Sequence, residues 1–266
     1  MVLACLSAAV FVTSAQAQDP SMHPVVDART GYLLGGSTMG EWMPPDATAA
    51  AVEAGAVYRL YSDGGAVGTG LGGRVESTLD ICPETSLVPI DVPAAIQGRV
   101  VAIGGDWNAL PRKPRFEKSA QPVYRKAMSE WLTARGIADP VMDSVQVVRI
   151  DLEGDGTDEV VLAASHRLPR QENAVDPRGL PGEYSVVLLR RVRDGKVETL
   201  ELVEDVHAAA SEDIPSHFDV AFILDLNGDG IMEIGITATY YEGDEIDVFT
   251  VEQGDPELIL QAGCGA

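Results

Sequence analysis

Two short acidic stretches of the chain carry side chains suited to holding a metal ion. Each has oxygen-bearing side chains at positions 1, 3, 5 and 9, and glycine at positions 4 and 6. This spacing is typical of a loop that wraps a hard cation such as Ca²⁺, which takes about six to eight oxygen ligands. The glycines permit the sharp turn because they enter positive φ without a Cβ clash. The predicted ligands are Asp151, Glu153, Asp155, the carbonyl of Thr157 and Glu159 in the first loop, and Asp225, Asn227, Asp229, the carbonyl of Ile231 and Glu233 in the second.

The charge of the first loop favours a bound cation over a plain turn. Asp, Asn and Gly are common turn residues, so the alternative is two turns that bind no metal. Five carboxylates lie within residues 151–159, however, and like charges this close destabilise a fold unless a cation neutralises them. Glu153 departs from the usual Asp or Asn at position 3, so the second loop matches the pattern better.

The loops differ from EF-hands. An EF-hand loop lies between helices and has a bidentate Glu at position 12, whereas position 12 is Leu162 in the first loop and Ile236 in the second. The flanking runs are apolar and rich in β-branched residues, which is typical of strands. These predicted strands cover residues 145–150, 160–164, 218–224 and 234–239.

A predicted hairpin follows each loop, with turns at Asp194-Gly195 and Gly254-Asp255. Each unit is therefore a strand, a cation loop, a strand and a hairpin. This arrangement resembles FG-GAP/VCBS-type calcium-binding repeats, and a group of bacterial exported proteins of undetermined function with two D-x-[DN]-G-D-G-x-x-E loops. The resemblance covers about residues 145–266 and implies that the ion pins a loop between strands. Two units are too few to close a propeller, which predicts a compact two-repeat β domain.

The expected fold is mainly β with one central amphipathic helix, an α+β class. Two β units each carry a calcium-type loop, and a smaller β domain precedes them. Four residues fall on one face of the helix predicted within residues 119–136: Tyr124, Met128, Trp131 and Leu132. The predicted organisation is a signal peptide at 1–17, a tether at 18–46, a small N-terminal β domain at 47–110, a connector at 111–118, and the helix with two repeats at 119–266.

The N-terminus and the cysteines predict export. Residues 1–17 are uncharged and end in an A-x-A pattern, which predicts cleavage near Ala17 and a secreted or periplasmic protein. A lipoprotein is disfavoured because Cys5 has too short an apolar region before it. No other run is long enough for a transmembrane segment. In an oxidising compartment Cys82 and Cys264 would form one disulfide, and the alternative is two buried thiols.

The net charge of the chain and its short sequence motifs argue against several classes of function. The formal net charge of −22 argues against nucleic acid and against anionic membrane surfaces as partners. Gly68 to Gly73 match the G-x-G-x-x-G spacing, but no helix is predicted to follow, and the four histidines are scattered. The expected function is a non-enzymatic, calcium-stabilised binding or scaffold module of the cell envelope, with an unidentified protein or glycan partner. The alternatives are a Ca²⁺-dependent hydrolase acting on sugar or phosphate substrates, and a subunit of a larger envelope assembly.

Overall fold

The computed structural model describes residues 21–62, 64–77, 81–142, 144–169, 178–251 and 254–265, so the predicted signal peptide lies outside the described residues. These residues form a mainly β structure with two helices, one more than the single central helix expected. None of the described helices is both long and apolar enough to span a membrane. The elements are β1 (His23–Asp27), β2 (Leu33–Thr38), β3 (Glu41–Met43), α1 (Pro45–Ala49), β4 (Val57–Ser62), β5 (Gly65–Leu71), β6 (Glu76–Ser77), β7 (Ser86–Leu87), β8 (Val101–Ile103), β9 (Arg115–Phe116), α2 (Pro122–Ala134), β10 (Ser144–Ile150), β11 (Glu159–His166), β12 (Tyr184–Arg193), β13 (Lys196–Val206), β14 (His217–Leu224), β15 (Glu233–Tyr240), β16 (Gly243–Thr250) and β17 (Glu257–Gly265).

The four strands β14 to β17 form an antiparallel meander, here called the central sheet. Successive residues of its first strand are buried on opposite faces: Phe222 and Leu224 pack towards β1, β2, β4 and β8, whereas Ile223 packs towards β10, β11 and β12. Such runs of consecutive apolar residues are typical of strands covered on both sides. The central sheet is therefore the shared wall of two cores.

The strands β9 to β13 form a second antiparallel sheet, here called the helix-covered sheet, in the order β13-β12-β11-β10-β9. One face packs on the central sheet and the other on α2. Tyr124, Met128 and Leu132 of α2 are buried, and Trp131, the fourth residue of the predicted stripe, is partly buried against the same core. Pro122 suits the first turn, and Gly136 follows the helix with φ of 94°.

The N-terminal sheet has the strand order β3-β2-β1-β8-β4-β5. Its presence corrects the predicted tether at 18–46, because residues 23–43 supply three of its strands. Val25 and Val26 are fully buried on opposite faces, and Asp27 is buried in an ion pair with Arg99. The strand β1 pairs with β8, far along the chain, with Val25 opposite Ile103. The predicted connector at 111–118 also contributes β9 to the helix-covered sheet.

The predicted link between Cys82 and Cys264 is present as a disulfide, with the two Cα atoms 5.6 Å apart. Cys82 is buried, and the neighbouring Thr85 hydroxyl donates a hydrogen bond to the carbonyl of Gly263. The bond joins the segment before β7 to the last strand of the central sheet. The last strand of the central sheet is thus tied covalently to the N-terminal half of the chain.

Candidate cation-binding loops

The two acidic loops connect equivalent strands and have the same register. The first loop, residues 151–159, joins β10 to β11, where Ile150 pairs with Glu159. The second loop, residues 225–233, joins β14 to β15, where Leu224 pairs with Glu233. The predicted strands are confirmed, and β12 pairs with β13 and β16 with β17 as the two predicted hairpins require. Each loop is thus held at its ends by an antiparallel ladder.

The aspartate at position 1 folds both loops in the same way. Asp151 accepts hydrogen bonds from the backbone N–H groups of Gly154 at 2.7 Å and Gly156 at 3.0 Å. Asp225 accepts the equivalent bonds from the fourth and sixth residues of its loop, at 2.7 and 3.0 Å. Both glycines of both loops have φ between 78° and 90°, which is the left-handed region that favours glycine. The glycine positions read from the sequence therefore have a direct conformational reason.

Positions 5 and 9 also repeat. Asp155 and Asp229 each accept a hydrogen bond of 2.7 Å from the backbone N–H two residues later. Glu159 and Glu233 each reach back to the backbone N–H at position 2, at 2.9 and 2.8 Å. In the second loop, the amide of Asn227 also donates to Asp229 at 2.9 Å. The carboxylates at positions 1, 5 and 9 are thus folded over their own loop in both repeats.

Burial sets the electrostatics of these carboxylates. Glu233 has 1% of its surface exposed, and its burial raises the pKa of the side chain well above the usual range. The charges of Asp225 and Asp229 raise this pKa further. Burial also raises the pKa of Asp225 and of Glu159. A buried carboxylate is costly to ionise unless a positive charge accompanies it.

One oxygen of Glu233 stands out among these groups. The Oε2 atom accepts the Leu226 N–H, but the buried Oε1 atom has no hydrogen-bond partner among the described residues. Most buried polar atoms in native proteins are hydrogen-bonded, so an orphaned carboxylate oxygen calls for an ion, a water or a proton. This oxygen belongs to the position predicted from the sequence as the last ligand of the second loop.

The first loop is the more open of the two. Glu153 and Asp155 are exposed and, with Glu159, line a cleft of about 280 Å³ whose other lining residues include Arg191 and Arg193. The nearby Asp158, which was not predicted as a ligand, forms an ion pair with Arg149 at 3.0 Å. Among the described side chains, no three of His, Cys, Asp or Glu approach one another closely enough to hold a metal as they are placed.

Residues 107–112, here called the bridging segment, contact the loops and were missed as functional residues. The indole Nε1 of Trp107 donates to the carbonyl of Asp225 at 2.8 Å, and the Asp225 N–H donates to the carbonyl of Ala109 at 2.8 Å. A Cβ atom on Gly228 would lie 2.8 Å from the Trp107 ring, so the indole lies directly against the second loop. Arg112, at the other end of the segment, donates to carbonyls of both loops. Trp107 and Arg112 donate to backbone carbonyls of the loops, so no pattern of side-chain types in the sequence marked them.

A second group of perturbed carboxylates lies on the central sheet. Burial, the charge of Asp247 and a hydrogen bond with that residue raise the pKa of Glu245 to about 7. Gln261 donates to Asp247 at 2.8 Å from the adjacent strand. Glu245 also lines a cavity of about 240 Å³ near the disulfide. The pair lies apart in the sequence from both acidic loops and is a feature that sequence reasoning did not single out.

No model of a known protein family, no curated protein and no solved structure matches this chain. The case for function therefore rests on the geometry of the loops.

Proposed function

We propose that this chain is an exported calcium-binding protein in which two ions hold the acidic loops at the ends of two packed β-sheets. The observation that carries the proposal is the orphaned, buried Oε1 of Glu233 at the last ligand position of the second loop. A divalent cation would supply the missing partner and offset the cost of burying the carboxylate. The repeated internal hydrogen bonds of the first loop support a second site of the same kind.

The residues present fit a hard cation. Carboxylate, amide and backbone carbonyl oxygens are the donors that Ca²⁺ prefers, and neither loop contains histidine or cysteine. In the second loop Asp225, Asn227, Asp229, the Ile231 carbonyl and Glu233 would hold the ion. In the first loop the equivalent residues would do so, with the longer Glu153 at position 3.

The role that this chemistry supports is structural. The loops lie at the ends of strands that form the two cores, so ion binding would stabilise the packing of the central and helix-covered sheets. The disulfide agrees with an extracellular or periplasmic location, and extracellular calcium-binding modules have a Kd of about 10⁻⁴ to 10⁻³ M. We propose a binding or scaffold module of the cell envelope, with a protein or glycan as the partner.

A thermal melt of the purified chain tests calcium binding. We expect 10 mM Ca²⁺ to raise the melting temperature relative to a chelator, and 10 mM Mg²⁺ to raise it less. The double variant Asp225→Ala, Asp229→Ala should lose part of the increase. The control variant Asp255→Asn removes an exposed carboxylate from a turn outside the loops and should keep all of it. An identical response to both ions, or an unchanged response in the double variant, would refute the second site.

A further inference from the structure

The two acidic loops are in direct contact through the backbone. The N–H of Met232, at position 8 of the second loop, donates to the carbonyl of Leu152, at position 2 of the first, at 3.0 Å. Both residues are fully buried in the core between the central and helix-covered sheets. A shift of one loop therefore moves a hydrogen-bonded partner in the other.

Arg112 reinforces this contact with a single guanidinium. Its Nε atom donates to the carbonyl of Asp151 at 2.5 Å, and its Nη2 atom donates to the carbonyl of Leu152 at 2.8 Å. The same Nη2 atom donates to the carbonyl of Gly230, in the second loop, at 2.5 Å. These carbonyls are adjacent to or part of residues assigned as ligands in both loops.

The geometry suits an arginine with a glycine beside it. A guanidinium carries five N–H donors in a rigid plane, whereas a lysine ammonium is a compact charge that cannot reproduce this fork. A Cβ atom on Gly154 would lie 2.9 Å from the Nη1 atom of Arg112. The guanidinium thus fits against the first loop while it reaches the second.

We propose that Arg112 is a positioning residue that makes the two loops one coupled unit, so that Ca²⁺ in one loop strengthens Ca²⁺ binding in the other. This inference rests on the proposed function. The first ion orders its own loop. It also orders the backbone of the neighbouring loop, through Arg112 and the hydrogen bond between Met232 and Leu152. The second ion then binds a loop whose backbone is already ordered, so its binding loses less conformational entropy. This produces positive cooperativity.

Repulsion between the two ions opposes this coupling but is moderated by the loops themselves. Residues 151–159 contain five carboxylates and residues 225–233 contain three, so each loop keeps a negative formal charge after binding one divalent cation. Salt also weakens the repulsion between charges that face solvent, over a Debye length of about 8 Å at physiological ionic strength. We therefore expect the ordering of the connected loop backbones to outweigh the repulsion, so that the coupling between the two calcium sites is positive.

Trp107 offers a local reporter of the second loop, because its indole donates to the Asp225 carbonyl. In a chain with Trp42→Phe and Trp131→Phe, a calcium titration followed by Trp107 fluorescence and by calorimetry measures binding at the second loop. The substitution Asp155→Ala then removes a ligand of the first loop without touching the reporter. We expect the Kd of the second loop to rise at least about fivefold, which is the lower range of coupling between linked sites.

The substitution Arg112→Lys tests whether Arg112 carries the coupling between the two calcium sites. It keeps the positive charge and removes the planar fork, so we expect Asp155→Ala to change the Kd by less than about twofold in this background. Arg112→Gln serves as a second variant if the lysine variant does not fold. If the fivefold coupling persists without Arg112, Arg112 is not the residue that couples the two loops.

The two hypotheses fail in different ways. If Ca²⁺ changes neither the Trp107 fluorescence nor the melting temperature of the unsubstituted chain, the proposed calcium sites are wrong. If the second loop binds Ca²⁺ with the same Kd whether or not the first loop is disabled, the sites stand and the coupling is refuted.

Discussion

Replacing Glu233 with glutamine should change the stability in opposite directions with and without calcium. The Oε2 atom of Glu233 accepts the Leu226 N–H, and glutamine keeps an oxygen that can accept the same bond. It removes the negative charge, however, which is the property that a cation needs and that burial penalises. The calcium-free protein should therefore become more stable, and the calcium-loaded protein less stable, than the unsubstituted chain.

The magnitudes follow from burial and mass action. Without Ca²⁺, removal of the buried negative charge should stabilise the fold by up to about 1 kcal/mol at pH 7.5, because the buried NH₂ group that replaces Oε1 offsets part of the gain. Extracellular sites have a Kd of about 10⁻⁴ to 10⁻³ M, so 10 mM Ca²⁺ adds about 1.4 to 2.7 kcal/mol per site. Loss of one site should lower the calcium-dependent rise in melting temperature by about 3 to 11 °C, at about 2 to 4 °C per kcal/mol.

Thermal melts of Glu233→Gln and of the control Glu257→Gln, in chelator and in 10 mM Ca²⁺, check this expectation. Glu257 is exposed on β17, outside both loops, so its variant should follow the unsubstituted protein in both conditions. If Glu233→Gln instead lowers the melting temperature equally with and without Ca²⁺, the side chain is only a hydrogen-bond acceptor for the loop, and the reasoning from its orphaned oxygen is wrong.

Three further perturbations test the fold around the loops. Replacing Cys82 and Cys264 with serine should lower the free energy of unfolding by about 2 to 5 kcal/mol, because the disulfide closes a long loop; a denaturant titration in the presence and absence of reductant measures this. The folded state keeps Glu245 protonated up to a pKa of about 7, whereas the ordinary value is 4.5, so unfolding releases protons between these pH values and stability falls as the pH rises through them. Glu245→Gln should flatten this decline by about 1 kcal/mol, a figure already reduced for the half-exposed position, and an unchanged slope in denaturant titrations from pH 4.5 to 7.5 would contradict it. Met128→Ala should destabilise the chain by about 2 to 5 kcal/mol in a denaturant titration, whereas Val123→Ala, on the exposed side of the same helix, should stay within about 0.5 kcal/mol.

The parts of the fold that follow from local rules were predictable from the sequence. The acidic loops, their flanking strands and the hairpin turns depend on glycine conformation and on apolar runs within a few residues of one another. The helix α2 was likewise expected from the spacing of Tyr124, Met128 and Leu132. The helix begins three residues after the predicted start, at Pro122, with Gln121 as the N-cap and no side-chain capping bond.

The predictions that failed concern segments whose structure depends on residues far apart in the sequence. The strand β1 contains Pro24 and Asp27 and resembles a polar tether until its pairing with β8 and the ion pair of Asp27 with Arg99 are known. Arg112 was missed for a different reason, since its partners in the loops are backbone carbonyls, which every residue possesses. No spacing of side-chain types could therefore reveal it.

The position of the central sheet has a consequence for how the chain reaches its native state. Residues 217–265 form this sheet and are the last of the described residues to leave the ribosome, yet they fill the gap between two sheets that precede them. Until they arrive, the N-terminal and helix-covered sheets each present an apolar face to solvent. Because contacts between distant residues delay folding, the native packing is completed only when the final layer inserts. A substitution that slows formation of β14 to β17 should therefore increase aggregation of newly made chains even where the finished protein tolerates it.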